Sequence, residues 1–207
     1  MKNRVVIASD ENVDYCFFTP IVSLMWNRRG YIPLVIIVGT PEYWLTQPRL
    51  RLVIECTRET GAEVYWTGNI DCVRSSTVAQ CSRIFSSFIC GLSAADLVII
   101  TDVDMLPLGP WVGGGREQKK MLHIWYANAY QGSSYLHFPM CYVGAKVETW
   151  QDIVGCVSGQ WREGLVDCLI GAPKDFDGAW NYDELWLGRK IAAWSGYPSR
   201  TQEIPRT

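Results

Sequence analysis

The chain has 207 residues, of which 48% are hydrophobic, and its formal net charge is −2 at pH 7. This length and apolar content can supply one sizeable core, so we expect a single domain over residues 1–207. The charge offers no basic surface for nucleic acid, and no apolar run reaches the ~18 residues that a membrane span needs, which predicts a soluble, cytoplasmic protein.

The first half of the chain alternates between strand and helix patterns. Short apolar runs predict strands at 4–9, 32–38, 62–66 and from 97 to the acids at 102 and 104. Apolar residues at helical spacing predict helices at 15–29, 48–60 and 76–90. This alternation is typical of an α/β fold with a mainly parallel central sheet.

The second half of the chain is less regular. Strands are predicted at 122–126 and 135–143, and helices at 146–157, 162–170 and 182–194. The segment 108–120 contains three successive glycines followed by basic residues, and we predict that it is a mobile lid that closes over a ligand. The polar end at 198–207 carries no predicted element, which is compatible with a chain that is part of a longer polypeptide with further domains.

The cysteines and the aromatic residues are unusually numerous. Eight cysteines include no C-x-x-C pair and mostly lie within apolar patterns, which favours reduced core residues over disulfides or a zinc site. Ten Trp and ten Tyr exceed what a core of this size needs. We therefore expect some of them to line a groove, because aromatic faces pack against sugar rings and bases.

The strongest local signal is Asp102-Val103-Asp104, which ends the apolar run that begins at Leu97. Side chains alternate along a strand, so both acids point the same way if strand geometry persists. Two carboxylates in one small volume repel each other, and a hard divalent cation or a sugar hydroxyl removes that cost. The alternative is a plain acidic turn at the end of a strand.

Three segments together resemble one known family. They are the turn Ala8-Ser9-Asp10-Glu11-Asn12 after the first strand, Arg83 within a helix, and Asp102-Val103-Asp104. This arrangement resembles the nucleotide-sugar glycosyltransferases of the GT-A fold, and within them the retaining group that includes bacterial lipopolysaccharide galactosyltransferases and glycogenin. In its size and in the segment 137–142 the chain is also similar to compact glycosyltransferase domains of large algal viruses, which would place it in the host cytoplasm.

The resemblance implies a role for each matching residue. It places Ala8, Ser9, Asp10 and Asn12 at the uracil and ribose, with residues 1–104 as the nucleotide-binding half. It places Arg83 near the diphosphate or the first Asp, Asp102 at ribose and metal, and Asp104 as the principal ligand of Mn²⁺ or Mg²⁺. It places Asp183 and Glu184 at the donor sugar and the acceptor, in an acceptor half formed by residues 105–207.

One feature departs from the family. Its members often take a third metal ligand from a downstream His, whereas this chain has only His123 and His137, and neither lies at that position. We expect His137 to line the nucleotide pocket and not to bind metal, so that phosphates and water complete the coordination of the cation.

The resemblance implies a metal-dependent enzyme that moves a hexosyl or deoxyhexosyl group from a UDP-sugar to a glycan acceptor, with retention. The residues themselves leave alternatives open. A nucleotidyltransferase of related fold would need a glycine-rich basic turn where Asp10-Glu11 stands, and a carbohydrate-binding module would need no acidic strand end. Locally, Asp10 and Asn12 could cap a helix, Arg83 could form a surface ion pair, and the two acids Asp183 and Glu184 could stabilise a helix N-terminus.

Overall fold

The computed structural model describes residues 2–71, 73–108, 119–132, 137–173 and 180–206. Within these ranges seven strands form one sheet in the order β3-β2-β1-β4-β6-β5-β7, and β6 alone runs antiparallel to its neighbours. The strands are β1 (Asn3–Ser9), β2 (Ile32–Ile37), β3 (Glu63–Trp66), β4 (Leu97–Thr101), β5 (Leu122–Trp125), β6 (Tyr142–Lys146) and β7 (Thr201–Ile204). The sheet is therefore mainly parallel, as predicted.

Helices cover both faces of this sheet. In chain order they are α1 (Val13–Cys16), α2 (Phe18–Asn27), α3 (Pro41–Thr46), α4 (Pro48–Glu59), α5 (Ser75–Ser82), α6 (Val147–Val154), α7 (Trp161–Ile170) and α8 (Tyr182–Ala193), with short 3₁₀ helices at Arg83–Phe88 and Ala127–Tyr130. None of the helices in the described ranges is both long and apolar enough to cross a bilayer.

The strands divide the core into two layers. Along β1, Val5 and Ile7 pack with the apolar residues of α2 and α4, whereas Val6 and Ala8 pack with those of α5 to α8. This division follows from the alternation of side chains along a strand. Every residue of β4 is buried, since this strand lies between β1 and β6 and is covered on both faces.

The position of the candidate site follows from the pairing of β1 with β4. These strands are parallel neighbours, with Val6 opposite Ile100, so their carboxyl ends meet at one edge of the sheet. Asp10 follows β1 directly and Asp102 follows β4 directly. Ligands of open α/β sheets bind at this edge, and the fold therefore brings the two acidic turns together.

Several predicted elements differ from the observed ones for local reasons. The helix predicted at 15–29 is divided at Phe17 into α1 and α2, because Pro20 has no N–H to bond the carbonyl four residues earlier. The helix predicted at 76–90 changes to 3₁₀ geometry at Arg83. There the hydroxyls of Ser82 and Ser86 donate to carbonyls three residues earlier, 2.8 and 2.7 Å away, and such bonds compete with the α-helical pattern.

Other elements were missed or displaced. Helix α3, which was not predicted, begins at Pro41 behind a Thr40 side chain that accepts from the Tyr43 N–H. The strand predicted at 135–143 is observed as β6, at Tyr142–Lys146, and residues 133–136 lie outside the described ranges. The polar end forms β7, which pairs with β5.

The cysteines agree in part with the prediction of core residues. The seven that the structure describes are free, and four of these thiols, at positions 16, 81, 141 and 168, are buried. Cys72 lies outside the described residues.

Candidate functional site

A cavity of about 280 Å³ opens at the carboxyl edge of β1 and β4. Its wall comes from the two acidic turns, from α5, from the segment between β5 and β6, and from the start of α8. The lining residues are Ala8, Ser9, Asp10, Tyr15, Ser76, Ala79, Gln80, Arg83, Asp102, Val103, Asp104, Tyr130, Met140, Trp180, Asn181, Asp183 and Glu184. Five of these are carboxylates, and one is a buried cation.

Arg83 forms the centre of this wall. Its Nη1 bonds Asp102 Oδ1, its Nη2 donates to Asp183 Oδ2 at 3.0 Å, and its Nε donates to the Gln80 carbonyl at 3.2 Å. The guanidinium is buried, and so is Asp183, whereas Asp102 is partly exposed. Arg83 therefore joins the end of β4 to the start of α8, and it is not the surface ion pair that the sequence left open.

The charges in this network depend on one another. Burial alone lowers the pKa of Arg83, but Asp102 and Asp183 more than offset this effect and raise that pKa above its ordinary value. Burial also raises the pKa of the Asp183 carboxyl, although Arg83 favours its charged form. Arg83 thus stays a cation, and it spends at least three of its five N–H groups on holding the two acids and one carbonyl in place.

Glu184 follows Asp183 and differs from it in its contacts. Its Oε1 accepts from the Tyr130 hydroxyl at 3.0 Å and from the Met140 N–H at 3.4 Å. Its Oε2 is buried and has no hydrogen-bond partner among the described residues. Burial, reinforced by the charge of Asp183, raises the pKa of Glu184 from 4.5 to about 7. One oxygen is therefore fixed by protein donors, and the other, which is buried without a partner among the described residues, is the place for the proton.

The turn after β1 is held by Asp10. Its Oδ1 accepts from the Asn12 N–H at 3.2 Å, and its Oδ2 accepts from the Ser75 hydroxyl at 2.9 Å at the start of α5. Asn12 is the N-cap of α1, since its side chain accepts from the Asp14 N–H at 3.0 Å. The capping alternative thus applies to Asn12, whereas Asp10 lies in the cavity wall and links β1 to α5.

The fold of this chain is similar to that of solved enzymes. The structure of the glycosyltransferase GlyE from Streptococcus pneumoniae TIGR4 matches 98% of this chain with a TM-score of 0.52 at 16% identity. The chain has a glycosyltransferase fold. This match confirms the predicted α/β fold of the GT-A class. The chain spans less than half the length of GlyE, of which 46% is covered.

Two further solved structures are also similar to this chain. The apo-form of the same GlyE matches 99% of this chain and 45% of its own, with a TM-score of 0.50 at 14% identity. The galactosyltransferase LgtC in complex with donor and acceptor sugar analogs matches 97% of this chain and 72% of its own, with a TM-score of 0.48 at 12% identity. No protein-family model and no curated protein sequence matches the chain.

On this glycosyltransferase fold, eight of the ten residues proposed from the sequence line the cavity. They are Ala8, Ser9, Asp10, Arg83, Asp102, Asp104, Asp183 and Glu184. The other two do not line it: Asn12 caps α1, and His137 stacks on the Tyr130 ring with centroids 4.1 Å apart. The predicted lid at 108–120 lies outside the described residues from 109 to 118.

The acids at the end of β4 reach the cavity by a different route from the one predicted. The strand ends at Thr101, and the following residues form a turn that the Met105 N–H closes on the Asp102 carbonyl at 3.3 Å. Strand alternation therefore does not align Asp102 and Asp104. The turn does so, while Val103 remains buried in the core below.

The residues that hold Glu184 were not predicted from the sequence. Tyr130 belongs to a short 3₁₀ helix that follows Tyr126, whose φ of 59° is left-handed, and it reaches Glu184 from 54 positions away. Tyr15 and Trp180 add aromatic surface to the wall, as expected from the excess of aromatic residues. No local pattern marks Tyr130 or Met140, because their roles depend on contacts between distant segments.

The residues present fit a divalent cation in part. Asp102 gives one oxygen to Arg83 and leaves Oδ2, and Asp104 is exposed at the cavity. Within the described ranges no group of three or more His, Cys, Asp or Glu side chains could hold a metal ion. Two carboxylates with further positions open suit Mg²⁺ or Mn²⁺, which keep water and bind substrate phosphates, and do not suit a closed structural site.

Glu184→Gln should make stability less dependent on pH between about 4.5 and 7. The folded state holds a proton on Glu184 that the unfolded state has lost in this range, so wild-type stability falls as pH rises through it and stays reduced above it. Gln cannot ionise, which removes this part of the slope. Urea unfolding at pH 5 and pH 8 with a chelator present measures this effect. The free energy of unfolding of the variant, relative to that of the wild type, should be higher at pH 8 than at pH 5.

The exposed Glu163 on α7 provides the control, because Glu163→Gln should shift stability equally at both pH values. A Glu184→Gln variant that parallels the wild type at both values would refute the protonated form of Glu184.

Proposed function

We propose that this protein is a glycosyltransferase that moves a hexosyl or deoxyhexosyl group from a UDP-sugar to a glycan acceptor, using Mn²⁺ or Mg²⁺ and retaining the anomeric configuration. The observation that carries the proposal is the cavity at the edge of β1 and β4, where Arg83 joins Asp102 to Asp183. The glycosyltransferase fold supports the proposal, and so do the five acids that line the cavity.

In this proposal residues 1–104 bind the nucleotide. Ala8, Ser9 and Asp10 form the floor below the base and ribose, and the bonds from Asp10 to Ser75 and to the Asn12 N–H keep that floor rigid. Asn12 would act from outside the cavity by capping α1, and His137 through the Tyr130 ring on which it stacks. A preorganised floor favours binding because little side-chain freedom is lost when the ligand arrives.

Asp102 and Asp104 would hold the divalent cation. Such a cation, when bound, offsets the negative charge of the departing diphosphate. The protein itself fixes the positions of these carboxylates. Arg83 bonds Asp102, and the turn at 102–105 places Asp104 in the cavity wall. Arg83 also adds positive charge to the wall at which the diphosphate would lie.

Residues 105–207 bind the sugar and the acceptor in this proposal. Asp183 is held by Arg83 and offers negative charge to a positively charged sugar centre, and Glu184 lines the cavity in which the acceptor would bind. A Glu184 acting as a general base for in-line attack would give an inverted product. Retention instead requires attack from the face that the diphosphate leaves, where a diphosphate oxygen could take the acceptor proton, and NMR of the anomeric proton of the product distinguishes the two outcomes.

Uridine diphosphate should stabilise the protein far more than purine diphosphates, and only when Mn²⁺ is present. The reason is that Ala8, Ser9 and Asp10 line the cavity and offer a carboxylate to the base edge and ribose. A ligand at 100 times its Kd raises the free energy of unfolding by about 2.7 kcal/mol. Thermal-shift assays with UDP, ADP and GDP, each with and without Mn²⁺, measure this effect. Equal shifts from ADP or GDP would contradict the uridine assignment, and no shift from any of the three would contradict the nucleotide site.

A further inference from the structure

Helices α1 and α2 expose a stripe of large apolar side chains. Val13, Phe17, Ile21 and Leu24 are all exposed, and they follow one another at spacings of four, four and three residues. These spacings place them along one face of the helical segment. Phe18 is exposed beside the stripe, and Ile21 keeps 52% of its surface in water. Contiguous apolar surface of this kind marks an interaction site in a folded protein.

The buried face of α2 carries polar residues, although large apolar residues lie on its exposed face. Thr19 and Ser23 are completely buried, and neither hydroxyl has a hydrogen-bond partner among the described residues. The helix therefore buries two small polar groups while it exposes several large apolar ones. This arrangement reverses the usual distribution and lowers the stability of the isolated fold.

The charges along this segment are divided between its two ends. Asp14 is the one acid from Val13 to Arg29 and lies in the first turn of α1, whereas Arg28 and Arg29 stand at the other end. Arg28 is exposed and lies four residues after Leu24, so it continues the stripe by one turn. The protein as a whole is slightly negative, and a cationic end on an apolar stripe is therefore a local feature.

We propose that the stripe of Val13, Phe17, Ile21 and Leu24, together with Phe18 beside it, docks on a lipid bilayer that carries anionic headgroups. Arg28 and Arg29 would then lie at the level of the headgroups. A bilayer accepts protruding apolar side chains without a complementary pocket, and it attracts arginine beside them. The segment lies on the surface in this arrangement and does not span it. A second copy of the chain or another protein would instead have to match the shape of the stripe.

Tyr15 lines the cavity and is two residues from both Val13 and Phe17, so its side chain points away from the stripe. The stripe and the cavity wall therefore lie on different faces of α1. The docking itself is a binding property that requires no turnover, and its test is independent of the proposed function.

Sedimentation with vesicles of phosphatidylcholine that contain about 30% phosphatidylserine tests the proposal, since anionic lipid attracts each nearby arginine. We expect the wild type to bind these vesicles and to bind pure phosphatidylcholine vesicles weakly. Phe17→Ser together with Ile21→Ser should weaken binding by about tenfold or more, because buried apolar area drives it. Arg28→Gln together with Arg29→Gln should weaken binding to the anionic vesicles by about fivefold per residue.

A matched control comes from exposed apolar residues elsewhere. Val157 and Ile170 lie outside α1 and α2, and Ile170 keeps 73% of its surface exposed. Val157→Ser together with Ile170→Ser should leave vesicle binding unchanged. The proposal is overturned if the wild type binds no vesicles, or if both serine pairs weaken binding equally. It is also overturned if size-exclusion chromatography with light scattering shows a dimer that Phe17→Ser and Ile21→Ser abolish, since a second copy then covers the stripe.

Discussion

Asp104→Asn should lower the rate of sugar transfer by about 10²-fold or more. Asp104 is exposed at the cavity, so its replacement removes a charge at the proposed cation site without removing core volume. We therefore expect unfolding in the absence of ligand to be unchanged, while the stabilisation by UDP and Mn²⁺ together is lost. Rate measurements over a range of Mn²⁺ concentrations, combined with thermal shifts, separate a loss of metal binding from a loss of fold.

Glu11 supplies the matched control for this experiment. It is an exposed acid in the turn at the same edge of the sheet, and it does not line the cavity. Glu11→Gln should keep both the rate and the Mn²⁺ dependence. Wild-type turnover in Asp104→Asn would remove Asp104 from the proposed metal site, whatever the control shows.

Arg83→Met should destabilise the fold by about 3–5 kcal/mol, because it leaves a buried carboxylate without its partner. Asp183 is buried as deeply as Arg83 and receives an N–H from it, so Asp183 must either ionise unpaired or take up a proton. The variant should also lose activity, since Asp102 and Asp183 are then no longer held. Chemical denaturation measures the first effect directly.

Two further variants show whether the effect belongs to the buried pair. Arg51 and Glu55 form an exposed pair on α4 at 3.6 Å, and Arg51→Met should cost less than about 1 kcal/mol. Adding Asp183→Asn to Arg83→Met should restore part of the stability without restoring activity, because the unpaired charge is gone. Additive losses in the double variant would mean that the two side chains are not coupled as the structure indicates.

The sequence alone indicated where many of the residues that line the cavity lie along the chain. The apolar runs of β1 and β4 are local signals, and each is followed by the acids that the structure places at one edge of the sheet. Such runs are informative because fully buried parallel strands need almost continuous apolar residues. The predicted Arg83 and the pair Asp183 and Glu184 also reach the cavity, but their positions relative to the other acids could not be predicted, since nothing local distinguishes them from capping or surface charges.

Elements whose formation depends on distant partners were predicted poorly. The strand β7 carries a polar sequence that has no strand signal of its own, and it forms because β5 offers an edge with which it pairs. The helix changes to 3₁₀ geometry at Arg83, whose side chain lines the cavity. On either side of it, the hydroxyls of Ser82 and Ser86 donate to carbonyls three residues earlier. Helix propensity alone does not resolve this change, because tertiary packing contributes to it.

By itself, the amino-acid sequence determined the α/β class and the strands β1 and β4, which Asp10, Asp102 and Asp104 follow. Only the tertiary structure decided that Arg83 bonds both Asp102, 19 positions away, and Asp183, 100 positions away, and that Tyr130 and the Met140 N–H hold one oxygen of Glu184. The physical reason is that strand and helix signals arise from neighbouring residues, whereas a buried ion pair forms only when folding removes distant groups from water together.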